Sequence, residues 1–222
     1  MRRILFGTSV YSRLIRWYIE DDTNDEILAY TVEKEYLKEK EFDGLPVVDF
    51  DSLNDIYDMT DISVLITCGY HQMNDIRKKI FNRCDELGYK IGSFYHSSAQ
   101  TNGVKFGRGN IVMANALFHP FVEVGDANIF GEFSMVEQET TIADFNFVGP
   151  KTFLGSFIKV ANNNDFGIGA IIGDRVEIGS YNLIGSGAVL SKSIGENNIV
   201  APDACRVQQS KRRLLDIMVE SF

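Results

Sequence analysis

The chain has 222 residues, 45% of them hydrophobic, and a formal net charge of -9 from 22 basic and 31 acidic side chains. That length fits one large domain or two small ones; the acidic balance argues against a nucleic-acid partner, and any anionic ligand needs a local basic patch. Cys68, Cys84 and Cys205 have no metal-site spacing and read as reduced thiols of a cytoplasmic protein. No signal peptide is legible, and no stretch reaches the ~20 apolar residues of a membrane span.

The first hundred residues alternate strand and helix signals. Arg3 to Phe6 is a short apolar run ending at Gly7-Thr8-Ser9. Val10 to Glu20 then has helical spacing at Val10, Leu14, Ile15, Trp17 and Tyr18. Ile27 to Val32 and Ser63 to Cys68 read as the second and third strands, with a short helix at Asp51 to Tyr57 between them. Asp75 to Leu87 has helical spacing and ends at Gly88; Lys90 to Phe94 reads as a fourth strand. The alternation predicts a small parallel, Rossmann-like α/β domain over residues 1–97. Such sheets bind ligands beyond the carboxyl ends of their strands. Two loops lie there: Gly7-Thr8-Ser9 and Cys68-Gly69-Tyr70. Gly7 would let a phosphate approach the backbone, and Thr8 or Ser9 would cap the helix or donate to that phosphate. A plain turn explains the same glycine.

From Phe106 to Leu190 every sixth residue is bulky and apolar, fifteen positions without a miss. Neither a helix nor a single long strand has that period, whereas a parallel β-helix does, each short strand giving one inward side chain before a corner. Gly follows the apolar residue at nine of the fifteen positions, as suits a corner where a side chain would clash or φ must be positive. Two residues before it, slim side chains recur, among them Ala116, Asn128, Ser134, Thr140, Asn146, Thr152, Asn164 and Asn182. Asn162-Asn163-Asn164-Asp165, before Phe166, predicts an asparagine ladder or corner bonds inside the coil, or alternatively contacts to sugar hydroxyls of a neighbouring subunit.

This pattern resembles that of the left-handed parallel β-helix acyltransferases, in which three hexapeptides make one triangular coil; fifteen then make about five coils over residues 98–206, followed by a helical tail at 207–222. The handedness is implied by the resemblance, not by the period, and is an exception to the usual crossover rule. An α/β domain followed by hexapeptide repeats, with His96 and Ala99 near the junction, is similar to the bacterial sugar O-/N-acyltransferases of the sialic-acid O-acetyltransferase and UDP-amino-sugar N-acetyltransferase type. The resemblance implies a homotrimer with acetyl-CoA as co-substrate and no metal. It implies a nucleotide-linked amino sugar on the first domain, held by Gly7, Thr8, Ser9 and Glu33 and by the loop Gly69, Tyr70 and His71. It implies CoA along the β-helix, near Gly167, Gly185, Ala188 and the closing segment with Pro202 and Arg206. The basic tail residue Lys211 would add to the CoA site; a solvated tail helix accounts for it equally.

In the catalytic coil that family has Glu-His-Glu after an aliphatic residue, its His the general base. Here the segment reads Val136-Glu137-Gln138-Glu139, and a carboxamide cannot take up a proton near neutral pH. Glu139, Glu137 and His119 are the candidate replacements. His119 stands 18 residues before Glu137, one coil, so the two would stack at one edge and the carboxylate would orient the imidazole; the alternative is a plain corner residue before Pro120. Gln138 could orient the acceptor or donate to the thioester oxygen. The expected function is acyl transfer to an amino or hydroxyl group of a nucleotide-linked sugar for a bacterial surface glycan; the alternative is a trimer that binds the sugar nucleotide without transfer.

Overall fold

The computed structural model describes residues 1–69 and 72–202. The first part runs β1 (Arg2–Phe6), α1 (Val10–Asp22), β2 (Glu26–Val32), β3 (Glu41–Phe42), β4 (Leu45–Asp49), α2 (Leu53–Ile56), β5 (Ile62–Ile66), α3 (Asp75–Leu87) and β6 (Lys90–Ile91). The sheet order is β3-β4-β2-β1-β5-β6, all parallel except the β3–β4 hairpin. α1 begins where Ser9 and Ser12 form a reciprocal capping box, each hydroxyl serving the other's backbone N–H. It buries Ile15 and Ile19 with Leu5, Tyr30 and Leu65 on one face of the sheet. α3 buries Ile80, Phe81 and Cys84 with Ile4, Val64 and Ile66 on the other. Both faces being covered, the strands are apolar throughout rather than alternating.

Two elements depart from the sequence reading. β3 and β4 were not foreseen, although Asp43-Gly44 between them has φ of 51° and 75°, the pair of positive values that a type I′ hairpin needs. The expected strand from Lys90 to Phe94 is divided. Lys90–Ile91 pairs with β5, while Phe94–Tyr95 pairs with Ile111–Val112 and so opens the second part within the 1–97 span.

That second part is a triangular stack of two-residue strands in three parallel sheets, which fit a left-handed β-helix. Residue i pairs with residue i+18 along the stack, for example Phe118 with Val136 and Val136 with Leu154, except at the ends of face three, where Phe94 pairs with Ile111 and Leu183 with Ile199. The six-residue series forms the inner core, with Phe130, Val148, Phe166 and Ile184 at 0% exposure. The outward columns differ by face. Face one presents Leu117, Met135, Phe153, Ile171 and Val189. Face two presents Lys105, Glu123, Thr141, Lys159 and Glu177, with ion pairs Lys105–Glu123 and Lys159–Glu177 at 2.6 and 2.9 Å. Face three carries the α/β part, which buries Ile111 and Ile129.

The corners resolve the two roles open for glycine. At Gly131 and Gly167 an added Cβ would lie 2.5 Å from the next coil's backbone nitrogen, so these glycines answer to close approach. Positive φ falls two residues further on, at 121, 133, 145 and 157, where phenylalanine adopts 58–68° at a cost of order 1 kcal/mol each. Inside the face-three corner Asn110, Asn128, Asn146, Asn164, Asn182 and Asn198 form a continuous ladder. The Oδ1 of each of the first five accepts the next asparagine's backbone N–H at 2.8–2.9 Å, so those buried donors are paired.

The two parts share a core. Phe145 packs edge-on to Phe81 at 5.5 Å and is buried by the chain's own α/β part. The fully buried Arg77 of α3 donates to the carbonyls of Gly69, Ala127 and Asn146 at 3.2, 2.8 and 3.0 Å. Asn74 donates to Asn164 O at 3.2 Å. Among the described residues no helix is long and apolar enough to cross a membrane.

Candidate active site

Phe118 and Val136 point inward, so the residues after them emerge on successive coils at the corner between faces one and two. His119 donates its backbone N–H to Val136 O at 2.9 Å. Its Nδ1 lies 3.0 Å from Glu137 Oε2 and 3.0 Å from Gln138 Oε1. Gln138 Nε2 donates to Ser156 Oγ at 3.0 Å, and the Ser156 backbone N–H donates to Asp174 Oδ1 at 2.9 Å. Two acceptors at Nδ1 place the ring proton there and leave the Nε2 lone pair free to take another. The arrangement has the geometry that a general base and an orienting carboxylate require. Three of the four expected residues therefore meet. Glu139 does not: it occupies an exposed left-handed corner at φ 57°, where the backbone turns its side chain away. Ser156 was missed, although its place 18 residues after Gln138 puts it in the same column.

A second feature lies at the carboxyl ends of β1 and β2. A cavity of about 550 Å³ is lined by Thr8, Ser9, Glu33, Tyr36, Asp75 and Lys79 among others. Gly7, at φ 117°, lets the chain leave β1 and start α1; a Cβ there would come 3.0 Å from Ser12 Oγ. Ser9 Oγ accepts from Ser12 N at 3.1 Å, so of its two expected roles it fills the cap. Glu33 follows β2 and pairs with Lys79 at 2.8 Å across the cavity wall. Gly69 lines a neighbouring cavity of about 850 Å³ on the far side of the α1 N-terminus, with Tyr11, Arg13 and Phe147. Tyr70 and His71, expected beside it, lie outside the described residues.

A third cavity, about 360 Å³, runs along face three below the α/β part and contains Gly167 and Gly185 with Phe147, Asp165, Leu183 and Ser186. Exposed Pro202 approaches Gly185, where a Cβ would sit 3.1 Å from Pro202 Cδ. Ala188 is a correction: it is 1% exposed inside the coil core, so its methyl group cannot reach a ligand on the outer surface. Arg206 and Lys211 lie outside the described residues. Asp165 stands out here. Burial pushes its carboxyl up to about 6, against the lowering influence of Arg77, while burial holds the Arg77 guanidinium down at about 10. Among the described residues no group of three or more metal-capable side chains gathers.

No protein-family model matches the chain, and no curated protein matches it. Solved structures do. A histidine-to-asparagine mutant of perosamine N-acetyltransferase from Caulobacter crescentus, in complex with CoA and GDP-perosamine, superposes with a TM-score of 0.80 at 18% identity, over 91% of this chain and 98% of that one. The acetyltransferase domain of PglB from Neisseria gonorrhoeae gives 0.75 at 19%, over 87% and 92%. WeeI from Acinetobacter baumannii gives 0.75 at 18%, over 90% and 97%. The likeness spans both parts of the molecule, and over nearly its whole length the chain shares the fold of these bacterial proteins.

Proposed function

We propose that the protein transfers an acyl group, acetyl in the simplest case, from CoA to an amino or hydroxyl group of a nucleotide-linked sugar in bacterial surface-glycan biosynthesis. The observation that carries this reading is the half-buried His119 imidazole, held at Nδ1 by Glu137 and Gln138, with no hydrogen bond at Nε2 among the described residues. Nε2 accepts the proton that the attacking nitrogen or oxygen loses as it bonds to the thioester carbonyl carbon. The same proton then neutralises the departing thiolate, and Glu137 stabilises the imidazolium between the two events. The Rossmann-like part, residues 1–97, holds the nucleotide in the cavity of Thr8, Ser9 and Glu33, with phosphates toward the α1 N-terminus, whose first turn contains no acidic residue. The face-three cavity with Gly167, Gly185 and Pro202 takes the CoA arm. That fold neighbours were solved with CoA and GDP-perosamine supports a CoA donor and a nucleotide-linked sugar acceptor.

Gln138, standing where the resemblance places a histidine, favours a second reading: a sugar-nucleotide-binding trimer without turnover. Thiol release from acetyl-CoA, measured across UDP-, GDP- and dTDP-linked amino sugars, separates the two. Turnover that falls about 10²–10⁴-fold in His119→Asn is the expected result. Binding of donor and acceptor without thiol release from any pair establishes the second reading.

A further inference from the structure

The outward column of face three runs Phe94, Ile111, Ile129, Phe147, Asp165, Leu183 and Ile199. Asp165 is the one charged member. It is 9% exposed, and among the described residues no hydrogen bond or ion pair reaches its carboxylate. Arg77, the nearest opposing charge, spends its N–H groups on three backbone carbonyls. A buried carboxylate without a donor is costly, and this one lines an open cavity that is otherwise mostly apolar, between Phe147, Leu183 and the backbone of Gly167 and Gly185.

The lining specifies what enters. A slim aliphatic chain fits the apolar walls, and an isolated N–H on it would meet the one strong acceptor. A pyrophosphate would be repelled by the carboxylate, and a hexose ring would leave several hydroxyls against apolar side chains. We propose that Asp165 is a donor-binding residue, its carboxylate accepting a hydrogen bond from an amide N–H of the pantetheine arm of CoA. The inference rests on the CoA-dependent reading above and adds to it the residue that recognises the arm.

The test is calorimetric titration of the full chain with CoA alone, the free thiol, for the unmodified protein, Asp165→Leu and Asp165→Asn. Each is paired with the KM for acetyl-CoA and for the sugar nucleotide. Asp165→Leu is expected to weaken CoA about tenfold and to raise the acetyl-CoA KM by the same factor, with the sugar KM unmoved, as loss of a hydrogen bond to a charged group would. Asp165→Asn keeps an acceptor oxygen and is expected to stay within about threefold. CoA affinity unchanged in Asp165→Leu, with the unmodified protein binding CoA, overturns the inference and leaves the proposed function standing. A sugar KM that rises while CoA affinity holds assigns Asp165 to the acceptor and overturns it as well. An unmodified protein that does not bind CoA overturns both.

Discussion

At the scale of single residues, the proposed chemistry is tested at two side chains. His119 is held at Nδ1 by Glu137 and Gln138, so in the proposed reaction loss of its partner should matter less than loss of the ring. Glu137→Gln should slow transfer about tenfold, well short of the effect of His119→Asn. Gln138→His should slow it too rather than restore a family motif, because the new ring removes the amide that bridges His119 to Ser156; steady-state thiol release reads all three. Asp165 gives a prediction in pH. Its folded-state carboxyl is raised from 3.8 to about 6, so the fold favours the protonated form. The stability this contributes is full below pH ~3.8 and is lost as pH rises through ~6. Asp165→Asn should therefore match the unmodified protein near pH 4 and exceed it at pH 7.5 by about 2–3 kcal/mol. Urea midpoints at the two pH values check this, and equal midpoints at pH 7.5 would refute it.

At the scale of elements, the join between α3 and the β-helix rests on Arg77 and the asparagine ladder. Arg77→Met keeps much of the side-chain volume but strands the carbonyls of Gly69 and Ala127, while Asn146 O keeps only the Ile129 N–H at 3.0 Å. A loss of about 3 kcal/mol is expected, read as a fall in the urea midpoint. Asn164→Ala breaks the ladder in its middle, where Oδ1 serves both the N–H and the Nδ2 of Asn182. The coils on either side should then separate in stability, seen as faster amide exchange from Asn164 to Val200 than from Ile111 to Val148. Uniform exchange along the stack would show that the inner apolar core suffices without the ladder.

At the scale of the molecule, the three faces have three different fates. Face two is solvated by its charge ladder, and the α/β part covers the first coils of face three, leaving Leu183 and Ile199 outward at 36% and 76% exposure. Face one leaves a column of five apolar side chains outward, with Ile171 45% and Val189 66% exposed. A column of that kind along a regular stack is self-complementary under rotation, and a closed trimer would cover it. The corner carrying His119 and Gln138 borders the same face, so a neighbouring copy would wall the site. Sedimentation at micromolar concentration should give a trimer. Ile171→Asp with Val189→Asp should give monomers with an unchanged circular dichroism spectrum and little transfer activity. An unmodified protein that sediments as a monomer would remove the argument. Phe145 and Phe147, which also lie outside the inward series, are covered within the chain: Phe145 lies under α3 and Phe147 against Tyr11.

The stack was legible residue by residue because its interactions are local and periodic. A side chain that recurs every six residues faces inward, and one 18 residues on lies directly above it. The inner core, the pairing register and the meeting of His119 with Glu137 follow from counting; of the run Asn162-Asn163-Asn164 only Asn164 enters the asparagine ladder, while Asn163 bonds Met73 O and Asp75. The helices of the α/β part were legible from apolar spacing, while the β3–β4 hairpin escaped because its signal is two turn residues between very short strands. Contacts between the two parts follow no period, and only the tertiary structure decided them. The packing of α3 onto the corner buries Arg77 and Phe145. The descent of the α/β part over face three turns Asp165 from an outward surface residue into a desolvated carboxylate. The corner dihedrals were likewise decided in three dimensions, because close approach between coils fixes where glycine is needed and thereby displaces the left-handed residue onto phenylalanine.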